Sequence, residues 1–118
     1  MLSSVGEKTI HNILLNHSIP FAEEFEFAEL RTQSGRPLRF DFCVFKKDGT
    51  IDYLIEFNGR QHYEPVSYFG GKKGLSKQKF NDKRKRDFCK KNNLTLVVIP
   101  YWEEHKISYD YLMQKAGY

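Results

Sequence analysis

Cysteine, proline and tryptophan are scarce here: two, four and one in 118 residues. Cys43 and Cys89 lie far apart among apolar neighbours, so they offer neither a disulfide framework nor zinc-ligand spacing, and reduced, packed thiols are expected. No apolar run is long enough to span a membrane. The opening Met1-Leu2-Ser3-Ser4-Val5-Gly6-Glu7 lacks the basic and apolar regions of a signal peptide. Internal repeats and low-complexity tracts are missing too. These absences predict an intracellular, cytoplasmic protein with no membrane partner. A 40% hydrophobic share over this length suits one core, so residues 1–118 are expected to form a single domain.

What the chain has is positive charge, unevenly placed. The net charge is only +4, yet ten of the nineteen lysines and arginines fall between Lys72 and Lys91, opposed there by Asp82 and Asp87 alone. Such a concentration is the electrostatic footprint of a phosphate-backbone binder, although a solvated helix face carries similar charge.

Apolar spacing places a first helix over Ser3 to Asn16, stopped by Ser18-Ile19-Pro20. Phe21 to Leu30, with Phe25 and Phe27 alternating with Glu24 and Glu26, reads as a half-exposed strand. Phe40 to Phe45 and Tyr53 to Phe57 are β-rich runs around Lys47-Asp48-Gly49-Thr50, and together they predict a hairpin. Asn58 to Gly74 carries Gly59, Gly70, Gly71, Gly74 and Pro65, the signature of a long irregular loop. Leu75 to Asn92 is expected to be a basic helix capped by Ser76, with Phe80 and Phe88 on its core face. Leu94 to Ile99 reads as a strand buried on both faces, and Ser108 caps a short helix ending at Lys115. The order αβββαβ plus a C-terminal helix implies an α/β fold. A helical crossover would make the last strand parallel, within a mixed four-stranded sheet flanked by helices.

The hairpin carries the sharpest expectation. With Asp48-Gly49 as a two-residue loop, Lys47 faces Thr50, Phe45 faces Asp52, and Asp41 falls opposite Glu56; a three-residue loop would break that pairing. Opposed carboxylates in apolar surroundings repel each other and need compensation, and a Mg²⁺ or Mn²⁺ ion held by both would supply it. The competing reading is a solvated acidic pair at a sheet edge.

An acidic helix one, a hairpin bearing Asp41 and then Glu56-Phe57-Asn58, and a helix crossing to a parallel strand together resemble the PD-(D/E)XK, or restriction-endonuclease-like, core over about Glu7 to Ile99. Ile55-Glu56-Phe57-Asn58-Gly59-Arg60-Gln61-His62-Tyr63 looks similar to the stand-alone very-short-patch-repair-like endonucleases and their phage-borne relatives. That resemblance implies a Mg²⁺-dependent DNA endonuclease, with Mn²⁺ substituting, encoded by a phage and acting in the host cytoplasm. Its metal ligands would be Asp41, Glu56 and the main-chain carbonyl of Phe57. Glu7 would be either an additional helix-one acid or the glutamate of a capping box begun by Ser4.

The sequence departs from the family at the third motif position, usually lysine and here Asn58, which cannot donate net positive charge. Some branches move that lysine to the following helix, and Lys85 is the candidate; Gln61 with Asn58 is the other way to orient an attacking water. Arg60, His62, Lys72, Lys73, Lys79, Lys83 and Arg86 are the candidate DNA contacts. Tyr63, Tyr68 and Phe69 are candidate base-stacking groups, whereas Tyr101 and Trp102 are expected in the core. His11, His17 and His105 are read as structural or surface residues. Specificity would come from weak sequence preference, a homodimer or a protein partner. The rival readings are a non-catalytic nucleic-acid-binding module on the same fold and a dimeric junction resolvase.

Overall fold

The structure is a computed structural model and describes residues 4–118. The expected helix start at Ser3, with Met1 and Leu2 before it, therefore lies outside the described residues. The elements are α1 (Val5–Asn16), β1 (Phe21–Arg31), β2 (Pro37–Phe45), β3 (Ile51–Asn58), α2 (Gly71–Lys91), β4 (Leu96–Pro100) and α3 (Tyr109–Lys115). Short 3₁₀ turns occupy Arg60–His62, Ser67–Phe69 and Tyr101–Lys106. The sheet runs β1-β2-β3-β4, antiparallel at the first two contacts and parallel at the third. The mixed four-stranded sheet with flanking helices expected from the sequence is therefore present. Among the described residues, no helix is long and apolar enough to cross a membrane.

Two apolar layers cover the sheet. Phe42, Val44, Tyr53, Ile55, Phe57, Val97 and Ile99 pack with Ile10 and Leu14 of α1 and Leu112 of α3. Leu38, Phe40, Cys43 and Leu54 pack with Cys89 of α2. Both cysteines are free and buried, and burial pushes each thiol up to about 11, so they remain packed thiols as expected.

The hairpin reaches its expected register by an unexpected route. Lys46 N–H donates to Thr50 and Gly49 N–H donates to Lys46, with Gly49 at φ 88°: a three-residue loop ending in a left-handed glycine. Phe45 accordingly pairs with Ile51, not Asp52. A one-residue shift follows at once, and Val44↔Tyr53, Cys43↔Leu54 and Phe42↔Ile55 restore the register that points Asp41 toward Glu56. The expected two-residue loop was wrong; the pairing downstream of it was right.

β1 also departs from simple alternation. Its ladder with β2 keeps one register from Phe21↔Val44 to Glu26↔Arg39. Yet Phe21 packs in the α1 layer while Phe25 and Phe27 pack in the α2 layer, and across the ladder Phe42 and Phe40 divide the same way. The switch falls at Glu24, whose φ of 50° is left-handed, and at Asp41 opposite it. Such a local twist re-aims a side chain, here that of Asp41.

Four further expectations need correction. Helix α2 starts at Gly71 under a left-handed Gly70, not at a Ser76 cap, so Lys72 and Lys73 sit in its first turn rather than in a loop. Gly74 reads as a loop residue but is required inside the helix, because an added Cβ would lie 1.7 Å from the Phe69 carbonyl oxygen. Phe80 is 45% exposed, and the buried residues of α2 are Lys85 and Cys89. β4 buries only Val97 and Ile99 fully, because it is an edge strand and its other apolar pair, Leu96 and Val98, is partly open.

Candidate active site

The β2–β3 ladder ends at Phe42↔Ile55, and beyond it a side chain replaces the backbone: Phe57 N–H donates to Asp41 Oδ2 at 2.7 Å. Since the N–H and C=O of one strand residue point to the same side, the Phe57 carbonyl also faces the gap where β2 leaves β3. Glu56 is 5% exposed, and Lys85 Nζ donates to its Oε1 at 3.1 Å. The Lys85 ammonium also lies 5.7 Å from the Phe40 ring centroid. The placement of Lys85 follows from α2 crossing the sheet, but not from the assumed Phe80–Phe88 stripe, which would have kept it off the core face.

Electrostatics mark these carboxyls as strained. Burial raises the Asp41 pKa to about 6 against the lowering effect of the Phe57 amide, with Glu7 adding to the rise. Burial and the neighbouring Asp41 raise Glu56 to about 8, and Lys85 only partly offsets them. Glu7 reaches this field from α1, where it holds the Ser4 hydroxyl at 3.0 Å and its N–H bonds Ser4 Oγ at 3.1 Å. Gly6 lets the helix come this close, since a Cβ there would meet the Phe57 ring at 2.5 Å. Glu7 is thus both a capping residue and part of the local negative field.

Asn58 is 7% exposed on the same face as Glu56; its Nδ2 reaches the Tyr63 hydroxyl at 3.4 Å, and its Oδ1 lacks a partner among the described residues. His62 is held by Asp82, Nδ1 to Oδ2 at 2.9 Å, and Gln78 Nε2 donates to the other Asp82 oxygen at 3.0 Å. Sequence reasoning counted Asp82 only as a charge in the basic segment and missed this role, because nothing in local spacing links positions 62 and 82. Half-buried against Asp82, His62 lines the hollow beside Glu56 and is not presented on the open surface. Gln61 is not brought to Glu56: it folds over Gly59 and lines a separate hollow with Phe69, Lys77 and Asn81.

The expected DNA contacts divide. Lys79 and Arg86 border the hollow containing Glu56, while Lys72 and Lys73 sit at the start of the same helix. Lys83 is ion-paired with Asp87 at 2.6 Å and Arg60 with Glu64 at 3.3 Å. Arg84, not singled out from sequence, donates to the Arg31 carbonyl oxygen and ties α2 to the end of β1. Trp102 is 53% exposed and packs beside Tyr63 with tilted rings, centroids 4.7 Å apart, so it is not the core residue expected. His17 stacks on Tyr109 and His11 meets Glu23, both away from the carboxyls.

No family model and no solved structure matches the chain. The chain is similar to uncharacterized protein 094L of Frog virus 3 (isolate Goorha), 43% identical over 70 residues, covering 58% of this chain and 43% of that protein. It is similar also to uncharacterized protein 307L of Invertebrate iridescent virus 6, 36% identical over 77 residues, covering 64% of this chain and 39% of the relative. Uncharacterized protein 033L of Invertebrate iridescent virus 3 is 36% identical over 53 residues, 44% of this chain and 27% of the relative. The chain thus spans less than half the length of the curated relatives it matches.

Proposed function

We propose that this chain is a divalent-metal-dependent nuclease of the PD-(D/E)XK type that hydrolyses phosphodiester bonds in DNA. The observation that carries the reading is the pair of half-buried Asp41 and buried Glu56, both raised in pKa by desolvation, with Lys85 bonded to one of them and cations bordering the adjoining hollow. The topology supports it: three antiparallel strands, a crossover helix and a parallel strand place the carboxylates where β2 and β3 part.

Among the described residues, no three His, Cys, Asp or Glu side chains are grouped to hold a metal ion. The available donors are two carboxylates and the Phe57 carbonyl, an all-oxygen set. Mg²⁺ suits such a set, because it keeps several waters and is commonly held by one or two carboxylates together with a substrate phosphate. Excess negative charge in poorly solvated surroundings is the second point of fit. When bound, the ion would polarise a phosphoryl oxygen and lower the pKa of a coordinated water.

The chain's own residues supply the rest. Asp41 and Glu56 each spend one oxygen internally, on the Phe57 amide and on Lys85, which fixes both carboxylates in place. Lys85 gives the cationic charge that Asn58 cannot, next to the place where negative charge would develop on the phosphate. His62, oriented by Asp82, lies within the same hollow and is a group able to hold or pass a proton at its other ring nitrogen.

The deciding test is cleavage of plasmid, linear, single-stranded and branched DNA with and without Mg²⁺ or Mn²⁺. Cleavage requires the ion and is lost in Glu56→Gln, which remains folded. Full activity in excess EDTA, or a wild-type rate in the variant, rejects the reading. DNA binding without cleavage under every metal tested would instead favour a non-catalytic binding module. Backbone contacts give a second expectation. If Lys72, Lys73, Lys79 and Arg86 each meet one phosphate, log K falls against log salt with a slope of about −4 on duplex DNA. Reversing Lys79 and Arg86 to glutamate should flatten that slope, whereas affinity independent of salt would contradict it.

A further inference from the structure

The hollow beside Glu56 contains more than a hydrolytic site needs. Its volume is about 460 Å³, within the range of small-molecule pockets. Leu96 and Val98 provide an apolar wall, left partly open because β4 is an edge strand. Tyr63 adds an aromatic ring, and Lys79 and Arg86 of α2 add positive charge. Asn58, more than nine-tenths buried, and His62 border the same space.

A nucleobase with its phosphate matches each element. Its faces are flat and apolar, and its phosphate needs cations a short distance away. We propose that this hollow seats a single unpaired nucleobase, packed on Leu96 and Val98 beside Tyr63. Lys79 and Arg86 hold the flanking phosphate. The inference deepens the nuclease reading and rests on it for the role of the pocket: the preferred substrate has an unpaired nucleotide beside the scissile phosphate. A fully paired duplex must first extrude a base, so single-stranded or gapped DNA is cut faster than intact duplex.

The test is calorimetric titration of the purified chain in EDTA with deoxyadenosine 5′-monophosphate and, separately, with 2-deoxyribose 5-phosphate. The nucleotide should bind at least tenfold more tightly than the sugar phosphate. Val98→Trp, which fills the hollow without altering a carboxylate, should reduce nucleotide affinity to that of the sugar phosphate. Equal affinity for the two probes, no binding of the nucleotide, or undiminished binding in a folded Val98→Trp would each overturn the proposal. The wild-type comparison decides the matter even if that variant fails to fold. Because EDTA excludes hydrolysis, the two readings fail separately: base-dependent binding without cleavage rejects only the nuclease, and cleavage with base-independent binding rejects only the pocket.

Discussion

Lys85→Ala should slow single-turnover DNA cleavage by roughly a hundredfold or more at saturating protein, the usual cost of losing a transition-state electrostatic or acid-base contact. Its DNA affinity should change little, because the amine lies buried on Glu56 and not on the open helix surface. A lost phosphate contact would show the opposite pattern, with affinity falling and the saturated rate preserved. Lys83→Ala is the control. Its amine is exposed and already paired with Asp87, so only a modest loss of binding is expected. Lys85→Met keeps the hydrocarbon packing near Phe40 and separates lost charge from lost volume. Rapid-quench rates measured beside fluorescence anisotropy give both quantities. A wild-type rate in saturated Lys85→Ala would return the task of orienting water to Asn58, since Gln61 lies in a different hollow.

Asp41→Asn should abolish metal-dependent cleavage and at the same time make the metal-free protein more stable at pH 8. The folded pKa of Asp41, about 6, is above its ordinary 3.8, so the folded state binds the proton more tightly than the unfolded one. The corresponding stability is fully present below the ordinary value, is lost as pH rises through that window, and stays lost above it. Glu56 extends the loss to about pH 8. Asparagine has no carboxylate to ionise, and its amide oxygen can still accept the Phe57 N–H. At pH 8 in EDTA the variant should therefore gain on the order of 1 to 3 kcal/mol, each pKa unit being worth about 1.4 kcal/mol. Near pH 4 the difference should vanish. Saturating Mn²⁺ should raise the melting temperature of the wild type and leave the variant unmoved, because only a site that binds the ion gains stability by mass action. A variant less stable than wild type at pH 8 would show that the carboxylate is held by its partners and not opposed by its surroundings.

Much of this architecture is legible in the sequence, because periodicity and turn chemistry are local. The α1 cap at Ser4, the hairpin, the crossover to β4 and the Ser108 cap all follow from residues close together in the chain. What was missed depends on three-dimensional neighbours that local spacing does not identify. Gly74 breaks the helical pattern on paper, yet the nearby Phe69 carbonyl requires glycine there. The face switch at Glu24 leaves the phenylalanine spacing unchanged and only alters which layer each ring enters. Asp82 acquires its meaning from His62, twenty positions earlier in the chain, and from Gln78 one helical turn before it. Asp41 and Glu56 could be placed opposite each other by register alone, but the burial that raises their pKa values comes from packing against both layers.

The hairpin joins an odd loop to an odd offset, and that has a consequence for how this segment can vary over time. Between Lys46 and Asp52 the three-residue loop and the shift beside it cancel, so Asp41 still meets Glu56. One residue lost from the shift, at Asp52, leaves every pairing from Val44↔Tyr53 onward intact. One residue lost between Tyr53 and Glu56 turns the carboxylate to the opposite face of the sheet. Natural length variation should therefore gather at the tip of the hairpin and stop abruptly at Tyr53, marking the boundary between chain that only spans distance and chain that aims the carboxyls.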